Sequence, residues 1–195
     1  FAEEGESLPE KPVLLTFDDG YRSAYELAFP ILREFEMKAT MFPIGVSVGK
    51  DTYKSTGYAM IPHFSWEEAK EMVDSGLVSI QSHTYDMHQW GPYESTDQPR
   101  ETILPLEGES EADYRASLSA DCQKIRQAIQ NGTGEENVHV IAYPSGRYNS
   151  LAQVTLLENG FDISFTTEEG TNTLIKGQPQ SLLGLHRYNM NQSVS

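Results

Sequence analysis

Short apolar runs alternate with amphipathic stretches along most of this chain. VLLTF (13–17), ATMFPIG (39–45), LVSIQSH (77–83), VHVIAY (138–143), FDISFTT (161–167) and LLGLHRYNM (182–190) have the length and β-branched or aromatic content of strands. Residues 23–36 are helical in pattern, with Pro30 predicting a kink or a split. SWEEAKEMVDSG (65–76) is punctuated at both ends. Ser65 is placed to cap, Glu68 stands at the capping-box position and Gly76 marks the stop. Residues 110–130 form the longest helix candidate, stopped by Asn131 and Gly132. SLAQVTLLENG (150–160) has Ser150 and Gln153 placed for a second capping box and Gly160 at its end. Between the third strand and the long helix lies an irregular stretch, 84–109, broken by Gly91, Pro92, Pro99, Pro105 and Gly108.

Strands that alternate with helices predict an α/β domain built on a parallel sheet. In such sheets, open or closed, binding and catalytic groups gather at the carboxyl ends of the strands. A length of 195 residues suits one domain. Residues 1–11 read as an acidic, breaker-rich linker tail, and 12–195 as the domain proper.

The charge narrows the partners. Against 14 Lys and Arg stand 29 Asp and Glu, a net charge of −15, which argues against nucleic acid and anionic membrane surfaces. The lone cysteine, Cys122, excludes an internal disulfide and reads as a packing residue. No apolar stretch approaches the ~20 residues of a membrane span. The chain opens on Phe1 rather than Met, which implies trimming and leaves open a lost export signal or anchor. Oligomeric state is not legible.

The strand ends hold the candidate chemistry. The first strand runs into Asp18 and Asp19, followed by Gly20. The third ends at His83, with His88 five residues on. The fourth leads into Tyr143, Pro144, Ser145 and Gly146, and the last carries His186 and Arg187. A spacing of five does not align two histidines on a helix face. A strand end and the loop after it can turn both toward one point. Together with Asp19 they would offer two nitrogens and a carboxylate oxygen, the donor set of a catalytic zinc site with a position left open. Cobalt, nickel and iron take the same donors. His63 and His139 stand apart from this set. Each member also has a plain structural reading: an Asp pair can make a turn, cap a helix or hold magnesium, His186 can be a satisfied core histidine, and Arg187 can be a surface charge. No glycine-rich phosphate loop accompanies the Asp pair, and the joint arrangement favours the metal site.

TFDDGY (16–21) and SHTYDMH (82–88) resemble the first two motifs of the polysaccharide deacetylases, carbohydrate esterase family four, in the form found in biofilm poly-N-acetylglucosamine deacetylases. The likeness runs from about Val13 to Met190. It implies a deformed (β/α) barrel with fewer strands than the eight-stranded form. It also implies metal-dependent removal of N-acetyl groups from an N-acetylglucosamine polymer, a biofilm polymer or peptidoglycan, outside the cytoplasm or at the cell surface. By this resemblance Asp18 is the catalytic base, Asp19, His83 and His88 hold a divalent metal (Zn2+ first), and Thr84 braces the ligand loop. Two positions depart from the family pattern. Ala142 stands where an arginine is usual, and Ser145 where an aromatic is usual. Arg187 is placed to replace the arginine from another strand. Strand alternation lets only one of His186 and Arg187 face the site, and the pattern favours Arg187.

Amide hydrolysis requires an activated water, a cradle for the oxyanion and a proton for the departing amine. Asp18 is expected to take the water's proton, with the bend permitted by Gly20 letting both carboxylates reach one cavity. The Tyr21 backbone N–H, with Tyr143 and Ser145 nearby, is expected at the acetyl oxygen, and His186 at the amine. Tyr21, Tyr85, Trp90, Tyr143 and Tyr148 are expected in rim loops, as sugar platforms or simply as packing. Other functions stay open at this point: a metal-dependent esterase or amidohydrolase acting on acetylated xylan or a small amide, a carbohydrate-binding remnant, or a plain scaffold.

Overall fold

The computed structural model describes residues 8–190. Five strands and four α-helices carry the domain among them: β1 Leu15–Asp19, α1 Phe29–Glu34, β2 Ala39–Pro43, α2 Trp66–Asp74, β3 Val78–Ile80, α3 Glu111–Thr133, β4 Val140–Ala142, α4 Ser150–Glu158 and β5 Ile163–Phe165. All ladders are parallel. β1 pairs with β2 from Leu15↔Ala39 to Asp19↔Pro43, β2 with β3 from Ala39↔Val78 to Met41↔Ile80, and β4 with β5 from Val140↔Ile163 to Ala142↔Phe165.

The three-stranded and two-stranded sheets are joined beyond β3. Ser82 bridges Ile141, donating its N–H to Val140 and accepting from Ala142 at 3.0 Å each. Next to this bridge the Gln81 side chain replaces backbone. Its carbonyl takes the N–H groups of His139 and Val140, while its amide donates to the Asn137 carbonyl. A gap in the ladder would otherwise leave those groups unpaired.

Both faces of the strands are apolar, as a parallel sheet requires. Met41, Ile80 and Ile141 pack with Met72 of α2, Leu118 and Ile125 of α3 and Leu156 of α4. The alternate positions Phe42, Ala142 and Phe165 form a second cluster with Leu185. The Phe42 and Phe165 rings lie 5.8 Å apart although β3 and β4 intervene. Three strand spacings across a flat sheet would be about 14 Å, so the sheet curls around this inner cluster. The curl brings the last segment back toward β1.

Several boundaries move from their sequence expectation. The helix opening at 23–36 is not broken at Pro30. A π turn, Ala24–Ala28, precedes α1, and Pro30 falls in the first turn of α1, where its missing N–H costs least. Asn131 and Gly132 do not stop α3, which ends against Gly134 in the left-handed region at φ 80°. Gly132 instead lets α3 approach α2: a Cβ there would lie 2.5 Å from the Trp66 ring. Asn149, not Ser150, caps α4, accepting from Ala152 N–H at 2.8 Å. The strand expected at 182–190 reduces to one bridge, Phe165↔Leu185. The linker-like tail at 1–11 lies largely outside the described residues.

Candidate active site

The carboxyl ends of β1 and β3 meet, and with them Asp19, His83 and His88. Their ligating atoms all lie within 4.8 Å of one another. His83 Nε2 is 3.3 Å and His88 Nε2 3.9 Å from Asp19 Oδ1. The two imidazoles stand edge to face, 5.2 Å apart.

The second nitrogen of each ring fixes its tautomer. His83 Nδ1 is 2.8 Å from the Ala142 carbonyl, and His88 Nδ1 is 3.0 Å from the Glu101 carbonyl. A carbonyl only accepts, so each Nδ1 must carry the hydrogen. Without a proton on Nε2, each ring presents a lone pair to the Asp19 carboxylate. Three acceptors converging on one point need a positive charge among them, and the donor set fits a divalent metal with room for further ligands. Burial works to raise the Asp19 carboxyl, but a proton on the facing imidazole, standing in for that positive charge, outweighs it through the hydrogen bond and charge of His83, with His88 and Tyr21 adding to them, and holds it below the usual range. His88 is pushed down, by burial first and then by His83.

The two adjacent acids separate by a backbone twist. Asp19 itself sits in the left-handed region at φ 66°, ahead of Gly20 at φ 84°. The bend expected from Gly20 therefore begins one residue earlier. Gly20 is still needed, because a Cβ there would meet the Pro43 Cβ at 2.7 Å. Asp18 faces Arg187, whose NH1 and NH2 donate to the two carboxylate oxygens at 2.7 and 2.6 Å. Arg187 also donates through Nε to the Thr166 carbonyl at the end of β5, and through NH1 to Thr16 Oγ1. It thus ties the last segment to β1. The position vacated by the family's usual arginine, Ala142, is buried, and its carbonyl serves His83 instead.

Three hydrogen-bonded points help to hold the loop carrying the histidines. Thr84, at φ 72°, accepts from Met87 N–H through its hydroxyl, and its carbonyl accepts from Gly45 N–H. His88 and Gln89 are tied to the segment at 100–101: Gln89 exchanges hydrogen bonds with Arg100 through its backbone N–H and its side-chain carbonyl. The third point was not anticipated. Asp121 of α3, 7% exposed, accepts Tyr85 N–H at 2.7 Å and Asp86 N–H at 2.8 Å. Burial, partly opposed by those two bonds, pushes its carboxyl up to about 6.

Other expected members are placed differently. Tyr143 is buried, not on the rim, and its hydroxyl donates to Ser164 at 2.7 Å inside the domain. Ser145 is exposed in a tight turn at φ 55°. His186 turns away from Arg187's side. Its ring lies 3.5 Å from Glu168 and against Gly170, and its backbone N–H bonds Asn172. Tyr21 stays at the site, its hydroxyl pushed up to about 12 by burial and then by the Asp19 charge. Its backbone N–H makes no hydrogen bond among the described residues, because Tyr21↔His63 is a non-bonded antiparallel pair flanked by Arg22 N–H to Pro62 and Phe64 N–H to Gly20. His63, which the sequence set apart, is therefore a neighbour of the site. It is buried, with its ring 5.1 Å from that of Tyr21.

Relatives match most of this chain. The profile of the family described as Polysaccharide deacetylase matches residues 5–163. The poly-beta-1,6-N-acetyl-D-glucosamine N-deacetylase of Escherichia coli K12 is 32% identical over 182 residues, covering 85% of this chain and 26% of that protein. The protein of the same name from Staphylococcus epidermidis is 27% identical, covering 87% of this chain and 52% of its own. The chain thus spans between a quarter and about half of these relatives. Among solved structures, IcaB from Ammonifex degensii superposes with a TM-score of 0.73 at 28% identity, over 95% of this chain and 71% of that one. With the profile covering most of its length, the chain belongs to the polysaccharide deacetylase family.

Proposed function

We propose that the chain is the catalytic domain of a metal-dependent N-deacetylase acting on a polymer that contains N-acetylglucosamine. The observation that carries this reading is the pairing of unlike partners on adjacent acids: Asp18 on Arg187, Asp19 on two imidazole Nε2 atoms. Relatives named for that activity support the substrate class. Asp19, His83 and His88 would hold a divalent cation, Zn2+ first by donor type, with Co2+, Ni2+ or Fe2+ as alternatives. Such an ion supplies Lewis acidity toward the acetyl carbonyl and toward water.

The protein groups divide the remaining work. Asp18 accepts the attacking water's proton, and Arg187 holds its carboxylate at a fixed angle. The Tyr21 backbone N–H, without a hydrogen bond among the described residues, donates to the acetyl oxygen as negative charge develops there. With His186 turned toward Glu168, protonated Asp18 is the group placed to return the proton to the amine. The C–N bond breaks, giving acetate and a free glucosamine amine. This reading also takes the curled sheet as a deformed barrel whose seam Arg187 spans, and places the substrate outside the cytoplasm.

Acetate release from N-acetylglucosamine oligomers tests the proposal. The wild type should release acetate, while Asp18→Asn should lose at least about a hundredfold in kcat with its metal content unchanged. Equal rates for the two would overturn the assignment of the base.

A further inference from the structure

The irregular stretch after His88 builds something the deacetylation site does not use. Trp90 is 51% exposed and stands edge-on to Tyr93, with ring centroids 4.8 Å apart. Tyr93 stacks face to face with Tyr58 at 4.3 Å and 13°, and Tyr58 is 54% exposed. Three aromatic rings from two separate segments thus form one solvent-facing shelf.

The shelf is fixed from beneath. Buried Tyr53 accepts the Trp90 N–H at 3.0 Å, and its hydroxyl donates to Glu94. Lys54, with only 22% of its side chain exposed, pairs with Glu94 and with Asp86 at 2.8 Å. Ordering a lysine there costs side-chain entropy and desolvation. The result is a rigid link between the segment bearing Tyr58 and the loop bearing the histidines, since Asp86 lies between His83 and His88. Trp90 follows His88 by two residues, so their Cα atoms are at most about 7 Å apart. The backbone that carries Trp90 therefore starts beside a residue proposed to hold the metal, within the reach of a neighbouring unit of a polymeric substrate.

We infer that Tyr58, Tyr93 and Trp90 form a glycan subsite that stacks on a sugar ring flanking the unit being deacetylated. The inference rests on the proposed function for its substrate class. The rings themselves favour a sugar over an aliphatic protein or lipid surface. All three carry a polar tip, and the shelf is held rigid by hydrogen bonds and ion pairs, which suits flat C–H faces ringed by hydroxyls. Its acidic setting, with a net charge of −15 over the chain, also accommodates the cationic glucosamine that the reaction leaves behind.

Chain-length dependence is the test. A disaccharide reaching only the metal site is compared with a hexasaccharide long enough to lie over the shelf. Trp90→Ala should raise KM for the hexasaccharide by up to about tenfold, with kcat and the disaccharide KM unchanged. Tyr58→Ala should act in the same sense. A purely structural role would instead lower kcat or raise KM for both lengths, and that outcome overturns the subsite. A second measurement separates this inference from the reaction itself. The chain has two tryptophans, so the emission lost in Trp90→Phe isolates the Trp90 signal. A fully deacetylated hexasaccharide should shift that signal and bind about tenfold more weakly to Trp90→Ala. Failure of the wild type to release acetate would refute the proposed function while this titration still decides the shelf. An unchanged Trp90 signal at saturating oligomer refutes the shelf, as would a shift produced by phosphatidylglycerol vesicles and not by the sugar.

Discussion

Asp121 makes the sharpest prediction, because its carboxylate hydrogen-bonds α3 to the peptide units midway between His83 and His88. Its two oxygens take the N–H groups of Tyr85 and Asp86 at 2.7 and 2.8 Å. In Asp121→Asn the side chain keeps one acceptor and turns an amide toward the other N–H. One buried donor is then orphaned, at about 1–3 kcal/mol. The loop loses its fixed distance from α3, and the two Nε2 atoms lose their common focus. Loss of such a supporting hydrogen bond typically weakens metal binding by about 10- to 100-fold. Zinc titration calorimetry reads that loss directly, without reference to turnover.

A second readout follows from charge. The Asp121 carboxyl rises from 3.8 to about 6 in the folded protein, burial being the main cause. Its protonated form is therefore favoured by folding. That contribution is fully present below 3.8 and is lost as pH rises through about 6, for a total of about 3 kcal/mol. Asn cannot ionise, so in metal-free protein the variant should gain on the wild type by up to that amount between pH 4 and pH 7. Denaturant melts at the two pH values measure it. Unchanged zinc affinity together with a pH-independent stability difference would refute the role given to Asp121.

Two further outcomes are expected. Arg187→Lys keeps the charge but not the two-pronged grip on Asp18, so kcat should fall by roughly a hundredfold with KM and zinc content unchanged; an active lysine variant would show that charge alone suffices. Tyr143→Phe removes a hydroxyl bonded only inside the domain, so acetate release should stay within about threefold of wild type while stability falls by about 1 kcal/mol in a denaturant melt; a large loss of kcat would return Tyr143 to the rim.

Much of the site was legible because parallel sheets place chemistry at one end of the strands. Asp18, Asp19 and His83 lie at the ends of apolar runs whose pattern marks strands, and Arg187 follows the single bridge at Leu185 in a run that only resembles one. What escaped was set by contacts across the fold. Asp121 reads as a solvated helix residue until it is aligned with Tyr114, Leu118, Cys122, Ile125 and Ile129, the buried stripe of α3. An acid on that stripe must have partners, and this was the available signal. Gly132 looked like a helix stop because its packing against Trp66 is invisible in one dimension. Tyr143 looked like a rim residue because the fourth strand ends beside it. Ser164, the partner that draws it inward, lies on a strand 21 residues away. His63 was passed over for the same reason: its pairing with Tyr21 is an isolated bridge between loops.

The least legible feature is also the one on which the chemistry turns. Two adjacent carboxylates on one strand repel, and a regular strand would send them to opposite faces. Asp19, the last residue of β1, instead sits in the left-handed region, a conformation an aspartate tolerates better than most residues. The turn lets each acid meet a different partner. Arg187 neutralises Asp18 with two parallel hydrogen bonds, while Asp19 is left facing nitrogen lone pairs that only a cation can reconcile with it. On the proposed function, one acid is thus oriented without being used as a ligand, and the other is the one that coordinates. Had Asp19 kept an extended backbone, Arg187 could still have held Asp18, but the point where His83 and His88 converge would have lacked its oxygen. A single dihedral in an otherwise ordinary β1 therefore turns a pair of like charges into two groups with separate tasks.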